Sequence, residues 1–94
     1  ITKGGLIQMT RMLAIEWADK NIRVNTVSPA TVMTESRMES LSDPKNRASM
    51  LGRIPTGRFV EASEIAAATL YFADPDNASV TGQMLDIDGG LTAV

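Results

Sequence analysis

Apolar residues recur at helical spacing over the first twenty positions. Leu6, Met9, Leu13 and Trp17 share one side, and Ile7, Ala14 and Ala18 share another. Met12 and Ile15 widen that surface, while Gln8, Arg11, Glu16 and Asp19 supply only an interrupted polar side. The pattern predicts a helix over residues 1–20 with two buried faces, one against a sheet and one against a further helix or subunit. Gly4 and Gly5 lower helix propensity near its start. They fit either a close approach by another backbone or ordinary fraying at a chain end. Asn21 is suited to a left-handed cap at the helix C-terminus.

The period then changes. Ile22, Val24, Thr26 and Val27 predict a strand over residues 22–28, and Pro29 is expected to stop it because proline cannot donate to a ladder. The next stretch is less regular. Short helices are predicted at 35–41 and 44–51, the second with Asp43 as N-cap and Pro44 in its first position. Met33, Met38 and Met50 read either as gap-filling core or as an adaptable wall over an apolar ligand. Gly52, Pro55 and Gly57 mark turns. A third main helix is predicted over 62–73, carrying Ile65, Ala66, Thr69, Leu70 and Phe72 and ending before Asp74 and Pro75. Tyr71 within it reads as a packing residue. A last strand over 83–88 places Leu85 and Ile87 on one face and Asp86 and Asp88 on the other, solvated face, and Gly89 and Gly90 end it.

The order is helix, strand, helical insertion, helix, strand. The two strands, joined through a helix, are expected to be parallel with a right-handed crossover. Parallel strands belong in sheets of several strands covered on both faces, so two are too few. The fold expected is α/β, the C-terminal portion of a larger parallel sheet, with residues 1–94 forming a single partial domain. The chain starts at Ile1 without an initiator methionine or a charged-then-apolar leader, so it is expected to be cut from something longer, with the missing strands upstream.

Composition narrows the chemistry. Nine basic against eleven acidic residues give a net charge of −2 with no basic cluster, which argues against nucleic acid and anionic membrane surfaces as partners. No apolar run approaches a bilayer-crossing length. The absence of cysteine and histidine excludes disulfides, thiolate chemistry and the usual zinc sites, so no metal is expected; it also suits a reducing cytoplasm. No GxGxxG or Walker-type loop occurs, and no nucleophile–base arrangement is self-contained. What remains is a strand end. In open α/β sheets ligands bind beyond the carboxyl ends of the strands, where residues 28–34 lie. Thr31, Thr34 and freed backbone groups there could hold a small planar amide, or the loop could be a simple connection whose threonines cap the following helix.

The runs TKGGLIQMTRMLAIEWADKNIRVNTVSPATVMT and GRIPTGRFVEASEIAAATLYFADPDNASVTGQMLDIDGG resemble, in order and over nearly the whole chain, the C-terminal part of classical short-chain dehydrogenases/reductases. The style is closest to 3-oxoacyl-carrier-protein reductases. The resemblance implies the C-terminal part of an NAD(P)-binding Rossmann-fold domain, a doubly wound parallel sheet, that transfers hydride between NAD or NADP and a small-molecule carbonyl/alcohol substrate. Lys3 looks like the family's catalytic lysine, which binds the nicotinamide ribose and lowers the pKa of a tyrosine four residues earlier. That tyrosine would lie two residues before Ile1. After the sixth strand the family reads proline, glycine, three variable residues and threonine. Pro29 and Thr34 match, Val32 falls where backbone groups hold the nicotinamide carboxamide, and Ala30 replaces the usual glycine, which would strain a positive φ. Residues 35–51 correspond to the segment that covers substrate, and the first helix to one that packs against a partner subunit in a dimer or tetramer. With the tyrosine, the serine and the phosphate loop outside the chain, these 94 residues are expected to be inactive alone. A non-catalytic association module or a degenerate family member is the alternative.

Overall fold

The computed structural model describes residues 2–30 and 42–93. The predicted helix at 35–41, together with Thr31, Met33 and Met38, lies outside them. The described chain contains helix α1 (Lys3–Trp17), strand β1 (Thr26–Pro29), helix α2 (Pro44–Leu51), helix α3 (Ala62–Ala73) and strand β2 (Met84–Ile87), with short 3-10 turns at Ala18–Lys20, Pro75–Asn77 and Leu91–Ala93. None of the described helices is long and apolar enough to cross a membrane.

Each helix starts where a side chain or ring satisfies the first turn. Thr2 caps α1 by accepting from Gly5 N at 3.1 Å. Asp43 caps α2 through Lys45 N at 3.0 Å, with Pro44 following it. At the far end of α1, Asn21 takes the left-handed conformation (φ 59°, ψ 36°), donating its N–H to Ala18 O, while Ile22 N–H reaches Trp17 O. The 3-10 turn that continues α1 thus ends at Lys20, immediately before the Asn21 cap.

The two strands pair directly. Thr26 N donates to Gln83 O at 2.9 Å and Ala30 N to Ile87 O at 3.0 Å. Both bonds keep the same offset along the two chains, which is a parallel register. Two boundaries differ from the sequence expectation. The strand begins at Thr26 rather than at residue 22, because residues 23–25 bond to a loop. Val24 N donates to Thr81 Oγ1, Arg23 donates to Val80 O and Asp74 O, and Asn25 donates to Val80 O and accepts from Gln83 N. Nor does Pro29 stop the ladder. Thr26 and Ala30 point their N–H groups at β2, so the alternate position 29 directs its missing donor the other way, where proline costs no strand bond.

The chain divides into two compact units, residues 1–27 with 68–85 and residues 28–67 with 86–94. In the first, Thr10 and Ala14 of α1 and Ala68 of α3 are buried, whereas Met12 and Ile15 stand 64% and 79% exposed. One face of α1 is therefore covered and its other apolar face is open among the described residues. Tyr71 packs its ring against Phe72 at 5.7 Å and is half-exposed. In the second unit, Ile54 and Phe59 form a small core with Met50 and Leu51 against it, and the Arg47 guanidinium lies 5.9 Å from the centre of the Phe59 ring. Met50 thus fills core.

Candidate functional site

At the carboxyl end of β2 the chain turns sharply through residues 88–93. Gly89 and Gly90 have φ of 65° and 94°. A Cβ on Gly89 would sit 2.5 Å from both Ile54 Cγ2 and Thr56 Oγ1, so only glycine lets the 54–56 segment close onto the strand end. That closure is bonded as well as packed, with Thr56 N donating to Gly89 O at 3.0 Å.

Asp88 corrects the sequence reading. It is not on a solvated strand face but is only 9% exposed. β2 ends at Ile87, so strand alternation does not reach the next residue. The Asp88 carboxylate instead folds back over the turn. Oδ1 accepts from Gly90 N at 2.9 Å, and Oδ2 accepts from Thr92 N at 3.1 Å and Thr92 Oγ1 at 2.5 Å. Asp86, by contrast, is exposed.

In the same unit, Pro29 is exposed and Ala30 is half-buried at the end of β1. The Ala30 N–H is committed to Ile87 O, so this amide holds the sheet together rather than facing a ligand. Asn21 is the only described residue other than glycine with a positive φ, so alanine at position 30 meets no left-handed strain. Val32 and Thr34 lie outside the described residues.

Lys3 belongs to the first unit. It is the first residue of α1, exposed, and directly follows the Thr2 cap. About two turns further on, Thr10 is 3% exposed. Its hydroxyl donates to Leu6 O at 2.8 Å and meets the Thr26 hydroxyl of β1 at 2.6 Å. Each hydroxyl has one hydrogen, so with Thr10 donating to Leu6 it is Thr26 that donates to Thr10. Leu6 N in turn donates to Thr2 O at 2.9 Å. No sequence pattern marks this link. A threonine inside an amphipathic helix reads as a polar intrusion, and its partner is sixteen residues away.

Among the described residues no group of three acidic side chains is placed to hold a metal ion. Arg58 and Glu64 form an ion pair with contacts at 3.0 and 3.1 Å. The Arg58 guanidinium, and then the Glu61 N–H, hold the Glu64 carboxyl down to about 2. The same pairing raises the Arg58 pKa.

Known proteins match the chain over almost its whole length. The family profile described as enoyl-(acyl carrier protein) reductase covers residues 1–92. A galactitol 2-dehydrogenase (L-tagatose-forming) of Cereibacter sphaeroides is 44% identical over 97% of this chain, and an L-xylulose reductase of Caenorhabditis elegans is 40% identical over 97%. The chain spans 36% of the length of each of these curated relatives. Among solved structures, a short chain dehydrogenase family protein from Francisella tularensis subsp. tularensis SCHU S4 is 32% identical with a TM-score of 0.80, covering 98% of this chain and 42% of that one. A 4-hydroxyisoleucine dehydrogenase complexed with NADH is 29% identical with a TM-score of 0.90, covering 98% and 38%.

Proposed function

The chain belongs to the short-chain dehydrogenase/reductase family, and from that we propose that it is the C-terminal part of a single NAD(P)-binding Rossmann-fold domain. The protein that carries it transfers hydride between a nicotinamide cofactor and a small carbonyl/alcohol substrate. The observation that carries this reading is the match over residues 1–92; the roles given to Lys3, Pro29 and Thr34 come from their resemblance to the family's motifs. In this reading the Lys3 ammonium bonds the nicotinamide ribose and favours the phenolate of a tyrosine upstream of this chain. That phenol, near ~10 when unperturbed, then becomes a proton carrier at physiological pH. In the same reading Pro29 and Ala30 belong to the cofactor-binding stretch, and the backbone at Val32 with the Thr34 hydroxyl holds the carboxamide. The cofactor, when bound, supplies or accepts the hydride. The 94 residues alone lack the phosphate-binding half and are inactive.

The relatives point to the substrate class. Galactitol, L-xylulose, glucose and D-erythrulose name the compounds on which several matching enzymes act, so a polyhydroxylated alcohol or its ketose or aldose is the substrate proposed. The test is cofactor-linked turnover by the full-length protein of galactitol and glucose with NAD+ or NADP+, and of L-xylulose and D-erythrulose with NADH or NADPH. Turnover of at least one is expected. No hydride transfer with any of them, together with a phenylalanine two residues before Ile1, would sink the reading.

A second reading, association without catalysis, is favoured by one observation. Met9, Met12 and Ile15 leave an apolar face of α1 open, beside a hollow of about 310 Å³ lined by Arg11, Ala14, Ile15, Ala18, Thr81 and Gly82. The same face serves an enzyme that is a dimer or tetramer in the cytoplasm, which we include in the first proposal. Sedimentation of the isolated chain separates the two. A folded, stable dimer favours the module; an aggregating or unfolded monomer favours the enzyme fragment.

A further inference from the structure

Thr10 is the most deeply buried polar residue described in the chain, and it sits in a helix where an apolar side chain would pack as well and threonine costs propensity. Its hydroxyl is the middle member of a relay. Thr26 of β1 donates to Thr10, Thr10 donates back to Leu6 O, Leu6 N donates to Thr2 O, and the Thr2 side chain caps Gly5 N. Lys3 lies inside the turn that this relay closes. Apolar burial is non-directional, whereas a 2.6 Å hydroxyl pair demands one distance and one angle between α1 and the strand. The relay therefore ties the first turn of α1 to β1 at a defined depth.

We propose that the Thr10–Thr26 hydroxyl pair is a positioning device that sets where the Lys3 ammonium stands. This rests on the reading in which Lys3 acts on the ribose and the phenol. Neither threonine touches substrate or cofactor; both act through the helix turn. Valine at either position keeps the shape and removes the hydroxyl, and serine at position 10 keeps the bond. In the full-length protein, T10V and T26V are expected to lower kcat for galactitol oxidation roughly tenfold, less than the ~100-fold that an ångström of misplacement can cost. The rate of alcohol oxidation rises with pH as the phenol ionises, and a displaced ammonium moves that midpoint upward in both valine variants. T10S is expected to stay within about twofold of wild type with an unshifted midpoint, as retention of the hydroxyl requires.

Valine variants that melt like the wild type and keep its kcat and pH midpoint overturn the proposal, and so does a T10S variant as slow as T10V. If T10V does not fold, T26V removes the same bond from the strand side and decides the question. A wild-type protein that turns over none of the compounds named above overturns the functional reading instead. The strut is then read by amide exchange at Gly5 and Leu6, faster in T10V and T26V if the hydroxyl pair holds the turn, and unchanged if it does not.

Discussion

Arg58 and Glu64 face each other fork to fork, with Nη1 donating to Oε2 at 3.1 Å and Nη2 to Oε1 at 3.0 Å, while the same Oε2 accepts from Glu61 N at 2.8 Å. The carboxylate thus caps the start of α3 and pins the loop before it. Its pKa of about 2 lies below the ~4.3 of an unfolded glutamate, so the folded state favours the charged form. The stabilisation is fully present above the unfolded value and is lost as pH falls through about 2. E64Q should therefore be less stable than wild type at pH 6, and the gap in melting temperature should close between pH ~4.5 and 2. A gap that stays constant over that window contradicts the assignment. Arg58 is 61% exposed, so raising the salt concentration should narrow the gap at pH 6 too.

Gly89 and Gly57 allow a backbone effect to be separated from a packing effect. Both have positive φ, 65° and 74°. An added Cβ at Gly57 meets nothing within 4 Å, whereas at Gly89 it reaches Ile54 Cγ2 and Thr56 Oγ1 at 2.5 Å. Gly57→Ala should cost about 1 kcal/mol from conformation alone. Gly89→Ala should cost about 1–3 kcal/mol more, because the buried Ile54 has to move. Urea unfolding of the two variants in the full-length protein gives the difference directly; equal losses contradict the close contact.

How much of this was legible in the sequence depends on how local each cause is. Helix α3 has the bounds read from its pattern, Ala62–Ala73, because its apolar period and the following Asp74 and Pro75 are all local signals. Asn21 was legible as a cap for the same reason. The start of β1 was not, since β-propensity continues back through Ile22, while the partners that divert residues 23–25 lie more than fifty positions away. A period-two alternation misplaces Asp88 because the strand ends one residue before it and its carboxylate folds over the turn. Lys3, Pro29 and Thr34 are proposed for the site only through motif order, as their own chemistry is unremarkable. The Thr10–Thr26 pair carries no sequence signal, since a hydroxyl pair across two elements follows from packing.

Asp88 leads to a graded prediction. Three donors converge on its carboxylate, two of them from Thr92. Asp88→Asn keeps the size but turns one acceptor into a donor that faces another donor. It should destabilise the full-length protein by about 1–3 kcal/mol. Thr92→Ala removes a single hydrogen bond, and should cost about 1 kcal/mol. A double variant that loses much less than the sum of the two marks a shared bond. Strict additivity in urea unfolding would show that the two residues act apart.

Lys3 separates function from stability most sharply. It is exposed at the first position of α1, and the Thr2 cap that starts the helix does not depend on the lysine side chain. Lys3→Met should leave the melting temperature nearly unchanged, as substitutions at such surface positions fall within about 0.5 kcal/mol. Activity is another matter. In the role proposed for Lys3, loss of the ammonium would remove both the ribose contact and the charge that favours the phenolate, so kcat/KM for galactitol oxidation in the full-length protein should fall by at least about 100-fold. The residual rate should rise with pH further into the alkaline range, because the phenol then ionises nearer its ordinary value of ~10. Lys3→Arg keeps a cation but replaces a compact ammonium with a planar fork, so it should restore the pH midpoint better than the rate. Nicotinamide absorbance measured from pH 6 to 11 reads all three effects. A Lys3→Met protein that folds and retains wild-type turnover removes Lys3 from the site.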